Sequence, residues 1–123
     1  KGLKSVKNNF AEAIIDGQSY FFDPNIVPAN PPQAFLLPAF DEYIIAYRDR
    51  SAVITSEQSA KAISSNGIFR PTIVVDGKVI GLWRKTSLKS RPLSLEYFEQ
   101  PASSTQKMVE NAAERLKKCY LCG

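Results

Sequence analysis

The stretch from Arg70 to Lys85, RPTIVVDGKVIGLWRK, constrains the fold more than any other part of the chain. Thr72, Ile73, Val74 and Val75 form an unbroken β-branched run, which favours a strand. Asp76-Gly77 follows, and then Lys78 to Trp83 reads as a second strand. A two-residue type I′ turn needs φ > 0 at both central residues, which Asp tolerates and Gly adopts freely. The pattern therefore predicts a tight hairpin turned at Asp76-Gly77. Pro71 has no N–H to donate and belongs at the start of the first strand. Between Arg70 and Arg91 the charges are Arg70, Lys78, Arg84, Lys85, Lys89 and Arg91 against Asp76 alone. The expectation is a basic-edged hairpin that carries the chain's only tryptophan, Trp83.

A chain of 123 residues is expected to form a single domain, 1–123, with a core of its own. It lacks an initiator methionine and opens on what reads as a helix, so it is expected to be the C-terminal domain of a longer protein. The net charge of +4 permits contact with nucleic acid or an acidic surface without demanding it. No apolar run is long enough to span a bilayer, so no membrane partner is expected. With no secretory leader pattern and only two cysteines, a reducing cytoplasm is the expected location. The chain has no histidine, which excludes Ser-His and Cys-His pairs and histidine metal sites within it.

Leu3, Val6, Phe10, Ala13 and Ile14 fall at helical spacing, so a helix is predicted over residues 1–15, ended at Asp16-Gly17. Gln18 to Phe22 reads as a strand whose Tyr20, Phe21 and Phe22 are expected in a core. Four prolines between Asp23 and Gln33 predict an extended connector, and Pro28 to Pro31 also fits the spacing of a PxxP ligand. A short strand at Phe35–Leu37 leads to a helix capped by Asp41 and closed at Arg48-Asp49-Arg50. In that helix Phe40, Ile44 and Tyr47 share one face, with Tyr43 beside it. One or two helical turns are expected between Ser51 and Ser65, and a further strand, the third counting from the hairpin, between Arg91 and Phe98. A final amphipathic helix, capped by Ser103 or Ser104, packs through Met108, Val109, Ala112, Ala113, Leu116 and Tyr120.

Two charged constellations admit bland readings. Asp49 between Arg48 and Arg50 reads as a paired carboxylate holding a loop, or as part of a phosphate clamp. Cys119 and Cys122 form a lone CxxC at a helix C-terminus, where the helix dipole raises rather than lowers a thiol pKa. A zinc site needs about four ligands, so no metal and no cofactor is expected. Asp41 with Asp49 as a hydrolase pair lacks an accompanying nucleophile.

Two segments resemble one known family. Leu36-Leu37-Pro38-Ala39-Phe40-Asp41-Glu42-Tyr43, continued by Ala46 to Arg50, is similar to the LLPxFDxY…RDR segment of AlkZ-like winged-helix proteins. Pro71 to Arg84 looks like the same family's PxxLVDGxVVGxWR. Order and spacing both match, and Asp41, Tyr43, Arg48, Asp49, Arg50, Asp76, Gly77, Gly81 and Trp83 are the motif residues present here, read as structural. The resemblance implies a C-terminal β-barrel-like domain behind tandem winged helices, in proteins that excise alkylated bases and unhook DNA crosslinks. Combined with the elements read above, it gives an α+β fold. That fold is a small, mostly antiparallel, barrel-like sheet with flanking N- and C-terminal helices.

The family's catalytic triplet is Gln, an apolar residue, then Gln or Asp. None of Gln18, Gln33, Gln58, Gln100 or Gln106 begins such a triplet, so no catalytic residue is carried over and the fragment is not expected to be an enzyme alone. Two functions follow. In one, Arg70, Lys78, Arg84, Lys85, Lys89 and Arg91 bind duplex DNA phosphates for a repair glycosylase. In the other, the domain only braces the preceding winged helices, with Trp83 and the Tyr43/Tyr47 face filling a core or seam. Convergence of the six cations on one face distinguishes them.

Overall fold

The computed structural model describes residues 7–27 and 33–121, which fall into two compact units, Lys1–Pro31 and Pro32–Gly123. In the first, a single 3-10 turn at Lys7–Asn9 leads into β1 (Ala11–Ile15), which pairs antiparallel with β2 (Gln18–Phe22). Asp16 and Gly17 have φ of 50° and 78°, so they form a hairpin turn rather than a helix end. The predicted N-terminal helix is thus corrected from residue 7 onward, and residues 1–6 lie outside the described residues. Helical spacing of apolar residues was coincidental there. β-branched Ile14 and Ile15 sit across from Ser19 and Gln18 in a ladder that satisfies the backbone instead. Tyr20 and Phe22 remain exposed, which corrects their expected place in a core. The Pro28–Pro31 spacing lies outside the described residues.

The second unit is a four-stranded antiparallel sheet in the order β3-β4-β5-β6, made of β3 (Ala34–Leu37), β4 (Thr72–Val75), β5 (Lys78–Lys85) and β6 (Leu93–Tyr97). Its helices are α1 (Glu42–Ile45), α2 (Ser56–Ala62) and α3 (Ser103–Leu121). The α+β class and antiparallel pairing are as expected. The barrel is not. Among the described residues β3 and β6 are free edges of an open sheet, and four strands are too few to close around a packed interior.

Both faces of this sheet are covered. On one, Ile73, Val75, Trp83 and Leu93 pack with Val109, Ala112 and Ala113 of α3. On the other, Val74, Val79 and Leu82 pack with Ile44 of α1, Ile54, and Ala62 of α2. This explains why β4 reads as an unbroken apolar run rather than an alternating one: all four of its residues are buried. Val74 pairs with Val79 but Ile73 pairs with Gly81, so Ile80 is an extra residue and β5 bulges there. The bulge brings Gly81 so close to β6 that a Cβ would lie 2.3 Å from the Glu96 carbonyl oxygen.

α1 is one turn, capped by the Asp41 carboxylate accepting the Tyr43 N–H at 2.9 Å. It does not extend to Arg50 as expected, and of the predicted apolar face only Ile44 is buried, while Phe40 and Tyr47 are exposed. The cause is local. Arg50 Nε donates to the Ile44 carbonyl, the acceptor that a continuing helix would offer to residue 48. α2 begins with a capping box between Thr55 and Gln58. α3 opens at Ser103, where the Ala102 carbonyl accepts the Gln106 N–H at 2.9 Å, so the capping position precedes both predicted serines.

Candidate nucleic-acid interface

The two sequence motifs prove to be one physical unit. Tyr43, on α1, donates its hydroxyl to the Gly77 carbonyl at 2.6 Å, clamping the tip of the β4–β5 hairpin. Trp83, on β5, is buried and donates its indole N–H to the Leu37 carbonyl at 2.8 Å. Asp76 exchanges two bonds with Gln33, its N–H donating to the Gln33 carbonyl and its carboxylate accepting the Gln33 N–H, each at 3.2 Å. Those bonds extend the β3–β4 ladder by one residue. The Asp76 and Gly77 φ values, 49° and 75°, are those the I′ dipeptide was expected to take.

In the RDR segment, Asp49 and Arg50 make contacts within the chain. The Asp49 carboxylate accepts both the N–H and the hydroxyl of Ser51, at 2.9 and 2.7 Å, and so holds the loop. The Arg50 guanidinium lies 5.5 Å from the centre of the Phe69 ring while its Nε donates to the Ile44 carbonyl. Arg48 is exposed. Tyr47 is 67% exposed, so Tyr43 and Trp83 contribute to the packed interior and Tyr47 does not.

All six predicted DNA-contacting cations are exposed, but they do not line one hairpin edge. Lys78 stands alone beside the Asp76-Gly77 turn, at the first position of β5. The other five gather at the opposite end of the sheet. Arg70 immediately precedes Pro71, whose carbonyl accepts the Trp83 N–H at 3.1 Å, so the ladder continues and sets Arg70 across from Arg84. Lys85 ends β5, and Lys89 and Arg91 lie in the loop to β6, where Thr86 donates its N–H to the Pro92 carbonyl at 2.8 Å. Arg84 and Lys85 are consecutive strand residues and so point to opposite faces of the sheet. The six cations therefore do not converge on one face, which is the outcome expected of the bracing role; five of them lie at one end of the sheet, distributed over both of its faces.

Three residues at this end were missed in the sequence. Ser94 sits across from Arg84 and Glu96 across from Leu82, and all four line a cleft of about 370 Å³ with Arg70, Pro71 and Trp83. Nothing in the one-dimensional pattern reveals that cross-strand register. Phe40 is the third. It has φ of 58° and is 54% exposed, a conformation that a bulky residue adopts at a cost of about 1–3 kcal/mol. Its N–H donates to the Phe69 carbonyl at 3.3 Å and its ring stands 6.0 Å from that of Phe69.

Burial raises the pKa of Tyr43 above the usual tyrosine value, and burial with the nearby Glu110 carboxylate raises that of Tyr97. Neither phenol is a base at neutral pH. Among the described residues no three His, Cys, Asp or Glu side chains are grouped to hold a metal ion. Cys119 is an exposed free thiol, and Cys122 lies outside the described residues. No described helix is long and apolar enough to cross a membrane.

A family model described as DNA glycosylase AlkZ-like matches residues 3–119, nearly the whole chain. The chain belongs to the AlkZ-like DNA glycosylase family. Among solved structures, the DNA glycosylase AlkZ of Streptomyces sahachiroi is similar to it, with a TM-score of 0.69 and 21% sequence identity. The match covers 90% of this chain and 31% of that glycosylase, so this AlkZ-like chain spans about a third of its length. At that identity the likeness establishes a shared fold. No curated protein matches the chain in sequence.

Proposed function

We propose that this chain is an accessory DNA-contacting domain, C-terminal in an AlkZ-like DNA-repair protein, that binds backbone phosphates without reading sequence. Catalysis belongs to other parts of such a protein, because no catalytic triplet of the family occurs among these 123 residues. The observation that carries the reading is the gathering of Arg70, Arg84, Lys85, Lys89 and Arg91 at one end of the sheet, away from the turn. Each phosphate neutralised there releases counterions, so affinity falls with salt and is indifferent to base order. Lys78, isolated at the other end, is left out of the contact set.

Titration of random-sequence duplex DNA at two salt concentrations tests this. The wild type binds no tighter than about 10⁻⁴ to 10⁻⁶ M, the non-specific range. Replacing Lys85, Lys89 and Arg91 by Gln weakens binding and lowers the salt slope by about 0.9 per lost phosphate contact, whereas Lys78→Gln leaves both unchanged. A second reading, a purely structural domain bracing winged helices of the same protein, is favoured by the motif residues: Tyr43, Asp76, Gly81 and Trp83 all serve internal packing or hydrogen bonds. It predicts identical titrations for all three proteins.

A further inference from the structure

Within the basic end, Arg70 and Arg84 stand apart. Both line the same cleft, and the register continued past Thr72 sets them across from each other, a juxtaposition of like charges that destabilises a sheet when nothing lies between them. Neither guanidinium has a hydrogen-bond or ion-pair partner among the described residues. Ser94, directly across from Arg84 on β6, brings a hydroxyl to the same cleft. Glu96, also on β6 and two ladder positions further in, lines the same cleft. Two guanidiniums and one carboxylate leave this cleft with a net charge of +1.

We infer that the cleft formed by Arg70, Arg84 and Ser94 seats a single backbone phosphodiester of a nucleic-acid strand, shared by both arginines. This rests on the DNA-contacting reading above and narrows it to one subsite. Paired guanidinium forks match the tetrahedral oxygens of a phosphate, and the Ser94 hydroxyl supplies a further donor. Glu96 selects the form of the ligand. The net charge of +1 complements a phosphodiester, which carries one negative charge. A phosphomonoester carries about 1.5 to 2 at neutral pH, and its second charge would face the Glu96 carboxylate. At about 370 Å³ the cleft is also roomier than a lone phosphate requires, which suits an anion that brings its sugars with it.

Sharing makes a distinctive prediction for duplex titrations of the 123-residue chain. Arg70→Gln and Arg84→Gln each weaken binding, and the two substitutions together lower the salt slope by about 0.9, one phosphate contact, rather than by about 1.8. One contact corresponds to about a three- to fourfold smaller loss of affinity between 50 and 200 mM salt. Arg70→Lys with Arg84→Lys keeps the slope, because charge is retained, but loses affinity severalfold, because the forks are gone. A double-Gln loss of about 1.8, or a double-Lys protein that binds like wild type, overturns the shared phosphate. Inorganic phosphate is expected to displace the duplex no better than chloride at equal ionic strength; better displacement would identify a small-anion site and overturn the phosphodiester assignment. If the wild type shows no salt-dependent binding, the DNA-contacting reading fails and the subsite with it. If the wild type binds and only Lys85, Lys89 and Arg91 matter, the subsite alone fails. Both arginines are exposed, so unchanged thermal unfolding of the variants verifies that the fold is intact.

Discussion

The chain contains two Asp-Gly hairpins with nearly superimposable turns and opposite fates. Asp16-Gly17 and Asp76-Gly77 have φ pairs of 50°/78° and 49°/75°. Yet β1 leaves Ile14 73% and Ile15 56% exposed, whereas every residue of β4 is buried. The turn is a local device, set by two residues that accept positive φ. What the strands bury depends on neighbours that the turn does not choose. β4 and β5 are the inner strands of a four-stranded sheet with helices on both faces, while β1 and β2 form a sheet of two. A two-stranded hairpin is at best marginally stable on its own, so the same turn carries different weight in the two places.

Gly81→Ala separates the hairpins most sharply, because it attacks a feature only the inner one has. The added Cβ would lie 2.3 Å from the Glu96 carbonyl oxygen and 3.0 Å from the Tyr97 Cα, both backbone atoms that cannot swing aside. A loss of about 3 kcal/mol in a denaturant titration is expected, at the upper end for overpacking. A loss below about 1 kcal/mol would mean that β6 is not held against the bulge.

Gly77→Val and Gly17→Val then compare the turns themselves. Both glycines have positive φ, and the new side chain meets only Tyr43 Oη at 3.6 Å in one case and nothing within 4 Å in the other. The strain is therefore conformational in both, roughly 1 kcal/mol or more. Gly77→Val is expected to lower the global unfolding midpoint. Gly17→Val is expected to lower amide protection in β1 and β2 and leave the midpoint of the second unit in place. Equal midpoint shifts would show that the two hairpins unfold together.

The smallest effect belongs to Tyr43→Phe, which removes the hydroxyl that clamps one turn and has no counterpart at the other. A loss of about 1 kcal/mol is expected for a single neutral hydrogen bond. The same hydroxyl gives the sign of a pH dependence. Its pKa is raised in the folded chain, so its contribution is complete below the unfolded tyrosine value near 10 and is lost as pH rises through the folded value. Stability measured from pH 9 upward should fall less steeply in Tyr43→Phe, and Tyr97, whose pKa is also raised, contributes to the slope that remains.

The inner hairpin, β6 and α3 were legible in the sequence because their signals are local: a turn dipeptide, alternation, an apolar helical stripe. The outer hairpin was not. A helix C-terminus and an I′ turn both place glycine at positive φ, and Leu3, Val6, Phe10, Ala13 and Ile14 tipped the reading toward a helix. Only pairing with Gln18–Phe22 decides the matter, and pairing is not a local property. For the candidate site, the basic residues were legible but their grouping was not. Counting cations along the chain put Lys78 with Arg84, whereas cross-strand register puts Arg84 with Arg70 and Ser94. The short α1 was missed for a similar reason, since Arg50 ends it through a bond made by its own side chain.

The bond from Trp83 to Leu37 joins residues 46 positions apart. A hairpin closes in about 1–10 μs, and its tryptophan then remains solvated until β3 and α3 arrive to cover it. The chain has no other tryptophan, so its indole emission is a single-site clock. It reports the docking of the distant segments, β3 and α3, and is silent on the closing of the turn. A stopped-flow trace followed through that one fluorophore thus times the non-local step of folding, the one whose loop-closure entropy sets the rate.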